Sequence, residues 1–205
     1  ADDHLPGAVN WPVLDDDVRR VVGTEYKQVS SFDARKHGAA LVARRVAEIV
    51  ERHVADKPRE WQPLVYCWRG GQRSGTLAWF LGQIGFRVQV LQGGYKAFRE
   101  QVREQLKVLP EQFNYTVIAG RTGSGKTRLL QALIEQGAQV LDLEALACHR
   151  GSVLGGLPHD PQPTQKAFDT EVWQTLRGFD GSRPVFVESE SRKIGALAVP
   201  DALLA

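Results

Sequence analysis

Residues 115–130, YTVIAGRTGSGKTRLL, constrain the fold more than any other stretch of this chain. Gly120-Arg121-Thr122-Gly123-Ser124-Gly125-Lys126-Thr127 fits the pattern G-x4-GK[ST], with an apolar, β-branched run before it and a helical pattern after it. A loop of this kind turns its amides toward one anion only when a strand delivers it and a helix N-terminus leaves it. The stretch therefore predicts an α/β unit with a parallel sheet. The backbone amides from Thr122 to Lys126 are expected to cradle a diphosphate. Lys126 would neutralise its charge and the Thr127 hydroxyl would offer a ligand to Mg²⁺. The motif does not name the phosphate compound. Asp142 and Glu188, each near the end of a predicted strand, are candidate carboxylates on the metal or base side of the loop, or else solvated strand-end residues.

A second glycine-rich loop precedes it. VYCWRGGQRSGT, residues 65–76, places Cys67 at the C-terminal end of the short apolar run PLVYCW, with SGTLAWFLGQIG reading as the next helix. Open α/β sheets bind their ligands at this end of the strands. Successive N–H groups of the turn and the following helix N-terminus favour an anion. A thiolate there is stabilised and becomes a nucleophile near neutral pH. Arg69 and Arg73 add positive charge, Gly70 and Gly71 allow the turned backbone, and Trp68, Gln72 and Ser74 complete the anion-binding loop.

The remaining elements follow from periodicity and from glycine and proline punctuation. After LPGAVNWPVL comes a polar stretch. Leu41, Val42, Val46, Ile49, Val50 and Val54 then recur at helical spacing until Pro58. RVQVL is a predicted strand and QGGYKAFREQVREQL a helix. Pro110 to Asn114 looks like a linker, which divides the chain into residues 1–109 and 110–205. In the second part QVLDL and PVFVESES are predicted strands, KAFDTEVWQTLRGF is a helix, and HRGSVLGGLPHDPQPTQ is loop-rich. The first 110 residues hold 17 Lys and Arg against 13 Asp and Glu, and the whole chain is only +2, so charge neither requires nor excludes nucleic acid. Cys67 and Cys148 are too few for a disulfide framework, and no CxxC pair suggests structural zinc. No run approaches the 18 or so apolar residues of a membrane span, and ADDHLPGAVNWP has no signal-peptide pattern. The expected compartment is the cytoplasm, and the expected status of the chain is a piece of something longer.

The Cys67 loop resembles the active-site loop of the rhodanese family, sulfurtransferases that carry sulfur as a cysteine persulfide. HLPGAVNWP and VLQGGYKAF resemble two further rhodanese segments. Cys67 and Arg73 are separated by five residues where common sulfurtransferases have four. That longer loop is similar to the loop of cell-cycle-type cysteine phosphatases, which makes phosphatase the competing reading, although Tyr66 stands where those enzymes have His. Joined to a P-loop unit, and with DLEALACHRGSVLG, PQPTQKAFD and VESESRKIG alongside, the chain resembles the family of tRNA 2-selenouridine synthases over nearly all its length. The resemblance implies a rhodanese-like parallel-sheet domain followed by a partial P-loop NTPase-like α/β domain. It implies tRNA bearing 2-thiouridine at the wobble position as substrate, geranylated from geranyl diphosphate and then converted to 2-selenouridine with selenophosphate. Cys67 would hold selenium as a selenylsulfide. No tightly bound cofactor is implied beyond Mg²⁺, and the selenophosphate-producing enzyme is an expected partner. The residues themselves leave open a sulfurtransferase fused to a nucleotide-dependent kinase or ATPase. Arg150, Arg192 and Lys193 are candidate contacts to tRNA phosphates.

Overall fold

The computed structural model describes residues 2–121, 123–150, 155–156 and 161–204. The chain packs as two units: residues 7–98 form one, and residues 99–205 together with residues 1–6 form the other.

In the first unit α1 (Asp16–Gln28) occupies the stretch that reads as merely polar. Asp15 caps it, accepting the Val18 N–H at 2.8 Å, with Asp16 and Asp17 in the first turn and Lys27 in the last. No residue of α1 is fully buried, but Val18 and Val22 are half-buried and recur at helical spacing. Ser30 caps α2 (Ser31–Ile49), and the chain winds on through one π-helical segment, Val50–Val54. Val46, Ile49 and Val54 meet Leu77 and Leu81 of α3 (Gln72–Ile84) in the unit's core, with Val13 beside them. Gly85 ends α3 at φ 113°, a left-handed cap that favours glycine.

The strands of this unit are short. β1 (Leu64–Val65) pairs in parallel with β2 (Gln89–Val90). PLVYCW was expected as a buried strand, but only two of its residues pair and Leu64 is 49% exposed. Among the described residues β1 has a strand neighbour on one side only, which leaves that side chain uncovered. α4 (Gly94–Val108) follows and carries the boundary between the units.

The second unit holds a parallel three-stranded sheet. Its order is β3 (Tyr115–Ile118), β5 (Val185–Glu188), β4 (Gln139–Leu141), with β5 in the middle. Ile118 is in register with Glu188, and Leu141 with Val187. The linker expected at 110–114 is a 3-10 turn, Pro110–Gln112. α5 (Lys126–Glu135) follows the phosphate loop. QVLDL is a strand only to Leu141, because Asp142 instead caps the short α6 (Leu143–Leu146). α7 (Gln165–Arg177) buries Phe168, Val172 and Leu176, and its Asp169 makes a half-buried ion pair with Arg99 of α4. Thr164 and Thr170 of this helix region bond to Asp2 and Asp3. A hairpin of β6 (Lys193–Ile194) and β7 (Leu197–Ala198), not anticipated, closes the described chain.

Candidate active site

Cys67 lies two residues beyond β1, where the chain turns toward α3. Its Sγ accepts the Gly71 N–H at 3.2 Å and the Ser74 hydroxyl at 3.3 Å. Burial pushes the thiol pKa up, but the Ser74 hydroxyl and the N–H groups of Ser74, Gly71 and Arg69 outweigh it. The balance leaves it at about 7, against 9.0 for an unperturbed thiol.

The loop's carbonyls are engaged from behind. Tyr95 and Lys96, in the first turn of α4, donate their N–H groups to the carbonyls of Cys67 and Trp68, each at 2.9 Å. With these carbonyls turned to α4, N–H groups of the loop are left facing the sulfur. Space is tight there. A side chain on Gly70, at φ 66°, would come within 3.0 Å of the Leu91 carbonyl and the Gly93 and Gly94 nitrogens. One on Gly94, at φ 61°, would overlap the Cys67 carbonyl and the Gly70 nitrogen. This accounts for the GGY of the following helix. Trp68 stacks on Tyr95 with ring centroids 5.1 Å apart. A cavity of about 350 Å³ opens above the loop, lined by Cys67, Trp68, Arg69, Gly71, Gln72 and Arg73. The expected loop residues thus gather around one sulfur, with Gly70 behind the cavity and Ser74 buried beneath it.

The phosphate loop also takes the anticipated strand–loop–helix form. Gly123 and Gly125 sit at φ 81° and 88°, and Gly125 caps α5. A side chain on Gly120 would come within 2.6 Å of the Ser124 hydroxyl, and the Ser124 N–H donates to the Arg121 carbonyl at 3.0 Å. Thr122 lies outside the described residues, and Thr127 is exposed in the first turn of α5. Lys126 donates to the Gly120 carbonyl at 3.0 Å and pairs with Glu188 at 3.2 Å. Glu188 is buried, and its second oxygen, Oε2, has no hydrogen-bond partner among the described residues.

The two candidate carboxylates part company here. Asp142 accepts the Ala145 N–H at 2.9 Å as a helix cap. Glu188 instead meets Glu144 and Glu190, one oxygen from each lying within 4.8 Å of the others. Burial and the charges of Glu188 and Glu190 push the Glu144 carboxyl up to about 7. Burial, then Glu188, also raises Glu190, against the opposing pull of a hydrogen bond with Glu144 and the charge of Lys126. Sequence reasoning missed Glu144 and Glu190. The alternation in VESES, which puts Glu188 and Glu190 on one side of an extended chain, was the available signal for one of them. Arg150, Arg192 and Lys193 are all exposed, while Cys148 is half-buried in a left-handed conformation at φ 47°. No helix among the described residues is long and apolar enough to cross a membrane.

Comparison with known proteins accounts for both loops. Residues 1–101 match the rhodanese-like domain model, and residues 113–205 match the model of the tRNA 2-selenouridine synthase AAA domain. Over nearly all of its length the chain is similar to tRNA 2-selenouridine synthases. It is 38% identical to the tRNA 2-selenouridine synthase of Nitrosomonas europaea over 96% of this chain and 52% of that protein. The Sulfurovum sp. synthase is likewise 38% identical, over 98% of this chain and 54% of that protein. The Bdellovibrio bacteriovorus synthase is 38% identical over 96% and 52%. The chain therefore spans about half the length of these synthases.

Proposed function

We propose that this chain carries the chemical groups that convert wobble 2-thiouridine of tRNA to 2-selenouridine, by way of an S-geranyl intermediate. The observation that carries the reading is the Cys67 sulfur, held near neutral pKa by Ser74 and Gly71 inside a cavity lined by Arg69 and Arg73. Such a loop receives an anionic donor, and selenophosphate supplies both the negative charge and the selenium, with its phosphorus set before the Cys67 thiolate.

The phosphate loop takes the other half of the chemistry. The thiouridine sulfur attacks the first carbon of the geranyl group, and the C–O bond breaks with its electron pair passing to diphosphate. Lys126 and the loop amides then stabilise the charge that builds on the leaving oxygens. Thr127 would offer its hydroxyl to a Mg²⁺ riding on that diphosphate. In the second step the Cys67 thiolate takes the phosphoryl group of selenophosphate as the Se–P bond breaks. The selenide so released forms the C–Se bond as the C–S bond breaks and the geranyl thiolate leaves, and water then frees Cys67 by releasing phosphate. Exposed Arg150, Arg192 and Lys193 are proposed phosphate contacts for the tRNA, and a selenophosphate-producing enzyme is the proposed donor partner. The cytoplasm is the proposed compartment, because that is where the tRNA resides.

Mass spectrometry of nucleosides tests the reading. A tRNA carrying wobble 2-thiouridine is incubated with selenophosphate and geranyl diphosphate, using this chain and a full-length relative in parallel. S-geranyl-2-thiouridine should appear first and 2-selenouridine second, and omission of geranyl diphosphate should stop both. Product formation that ignores geranyl diphosphate and depends on ATP would establish a sulfurtransferase–kinase fusion instead.

A further inference from the structure

Trp68 follows Cys67 directly in sequence and lines the cavity above it. The residue is 49% exposed, yet it is held from two sides. Its carbonyl accepts the Lys96 N–H at 2.9 Å, and its ring lies on Tyr95 at 5.1 Å with 29° between the planes. Tyr95 is only 6% exposed and meets Phe98 at 6.2 Å, so the ring that backs Trp68 belongs to the packed interior. A single exposed aromatic is ordinary on a protein surface. One held rigid at the rim of a ligand-sized cavity is not, because stacking on it costs little further ordering.

The rest of the cavity suits a charged donor, with loop amides beside Arg69, Gln72 and Arg73. The face of an indole adds nothing to the capture of a tetrahedral oxyanion, since it carries partial negative charge. It suits a flat π system instead. The volume, about 350 Å³, falls within the ~300–1,000 Å³ of small-molecule cavities and exceeds what one oxyanion fills. On the proposed chemistry selenide is set free at the Cys67 sulfur, so the carbon it attacks must be brought to the same cavity. That carbon belongs to a pyrimidine ring. Unpaired RNA bases are commonly held by stacking on aromatic side chains, and a base already in a loop unstacks at small cost.

We propose that the Trp68 indole is a stacking platform for a pyrimidine base of an RNA loop, holding it over Cys67 with the exposed Arg69 beside its phosphates. The platform rests on the reading of the Cys67 loop as the place where the wobble base reacts. It makes Trp68 a base-binding residue, separate from the groups that meet the donor.

The test uses the full chain and a synthetic anticodon stem–loop RNA with 5-iodouridine at the wobble position. Irradiation should join that base to Trp68, identified by mass spectrometry of the digested adduct, because 5-iodouracil couples to an aromatic ring stacked on it. Moving the iodouridine into the stem should abolish the Trp68 adduct. With the 2-thiouridine stem–loop, Trp68→Ala should weaken binding by roughly 5- to 150-fold, the effect of losing one stacked base. Trp68→Phe should recover most of the loss and Trp68→Leu should not. In all three variants the KM for selenophosphate and the pH midpoint of Cys67 alkylation should stay where the parent has them. Rescue by Leu as complete as by Phe would mean that the indole only packs the loop, and overturns the platform. So does an adduct confined to other residues. A loss of affinity seen only with S-geranylated RNA would assign the indole to the isoprenoid chain and overturns it too. Selenation separates the two ideas. If the parent selenates the stem–loop and Trp68→Ala does so with unchanged KM for RNA, the functional reading stands and the platform alone is sunk. A parent that neither binds nor selenates the RNA sinks both.

Discussion

The backbone N–H of Tyr95 donates to the carbonyl oxygen of Cys67 at 2.9 Å, so the Cys67 loop is held by a helix almost thirty residues further along. The contact needs Gly94, which sits at φ 61° against the Cys67 carbonyl. Gly94→Ala should therefore cost about 1–3 kcal/mol of stability through backbone strain. It should also slow alkylation of Cys67, because the loop must shift to admit a methyl group. Urea denaturation and iodoacetamide kinetics on the same variant check both effects. An unchanged alkylation rate would show that α4 does not set the loop.

Cys67 should titrate near pH 7, since its pKa lies at about 7. The group is depressed, so the reactive thiolate predominates above that value and is lost as pH falls through it. In a Cys148→Ala background, alkylation should rise with pH to a plateau whose midpoint is near 7. Ser74→Ala removes the hydroxyl that bonds the sulfur at 3.3 Å, and the midpoint should move upward. A midpoint left in place would exclude Ser74 as the stabilising group.

The two steps should separate at the two loops. Cys67→Ser should abolish formation of 2-selenouridine and still accumulate S-geranyl-2-thiouridine, both read by nucleoside mass spectrometry. Cys148→Ala should do neither. Selenation at the parent rate in Cys67→Ser would end the nucleophile assignment.

Lys126→Ala should reduce geranylation by about 10²–10³, the usual loss when a donor to a developing oxyanion is removed. Selenation of tRNA already carrying the geranyl group should continue. Failure of that second reaction in a folded variant would refute the division of labour.

The same substitution has a structural cost. Lys126 and Glu188 are 15% and 3% exposed, and removing one partner of a buried pair typically destabilises by about 3–5 kcal/mol. Adding Glu188→Gln should restore most of that loss, measured by urea denaturation. If the double variant is no more stable than Lys126→Ala, the pair contributes nothing to the fold.

The strand–loop–helix form of both glycine-rich loops was legible in the sequence because each couples glycines to Cys67 or Lys126 at fixed spacing. Periodicity found α2, α3, α4 and α7 because each buries apolar residues at helical spacing. It missed α1, although Val18, Val22 and Tyr26 recur at helical spacing there, because that short stripe is set among charged residues and none of it is fully buried. Asp142 read as a strand end because capping a four-residue helix leaves no periodic trace. Glu144 and Glu190 were invisible as partners because their meeting depends on β4 pairing with β5, a long-range event that no local pattern encodes.

Asp2 and Asp3 pack with the unit that begins at Arg99, on the far side in sequence of residues 7–98. A protein cut at the linker would not release that unit whole. It would strip Thr170, only 2% exposed, of the Asp3 carboxylate its hydroxyl bonds at 3.0 Å, and Thr164 of its bond to Asp2. Dissection of this fold by cleavage therefore disturbs α7 at a distance from the cut.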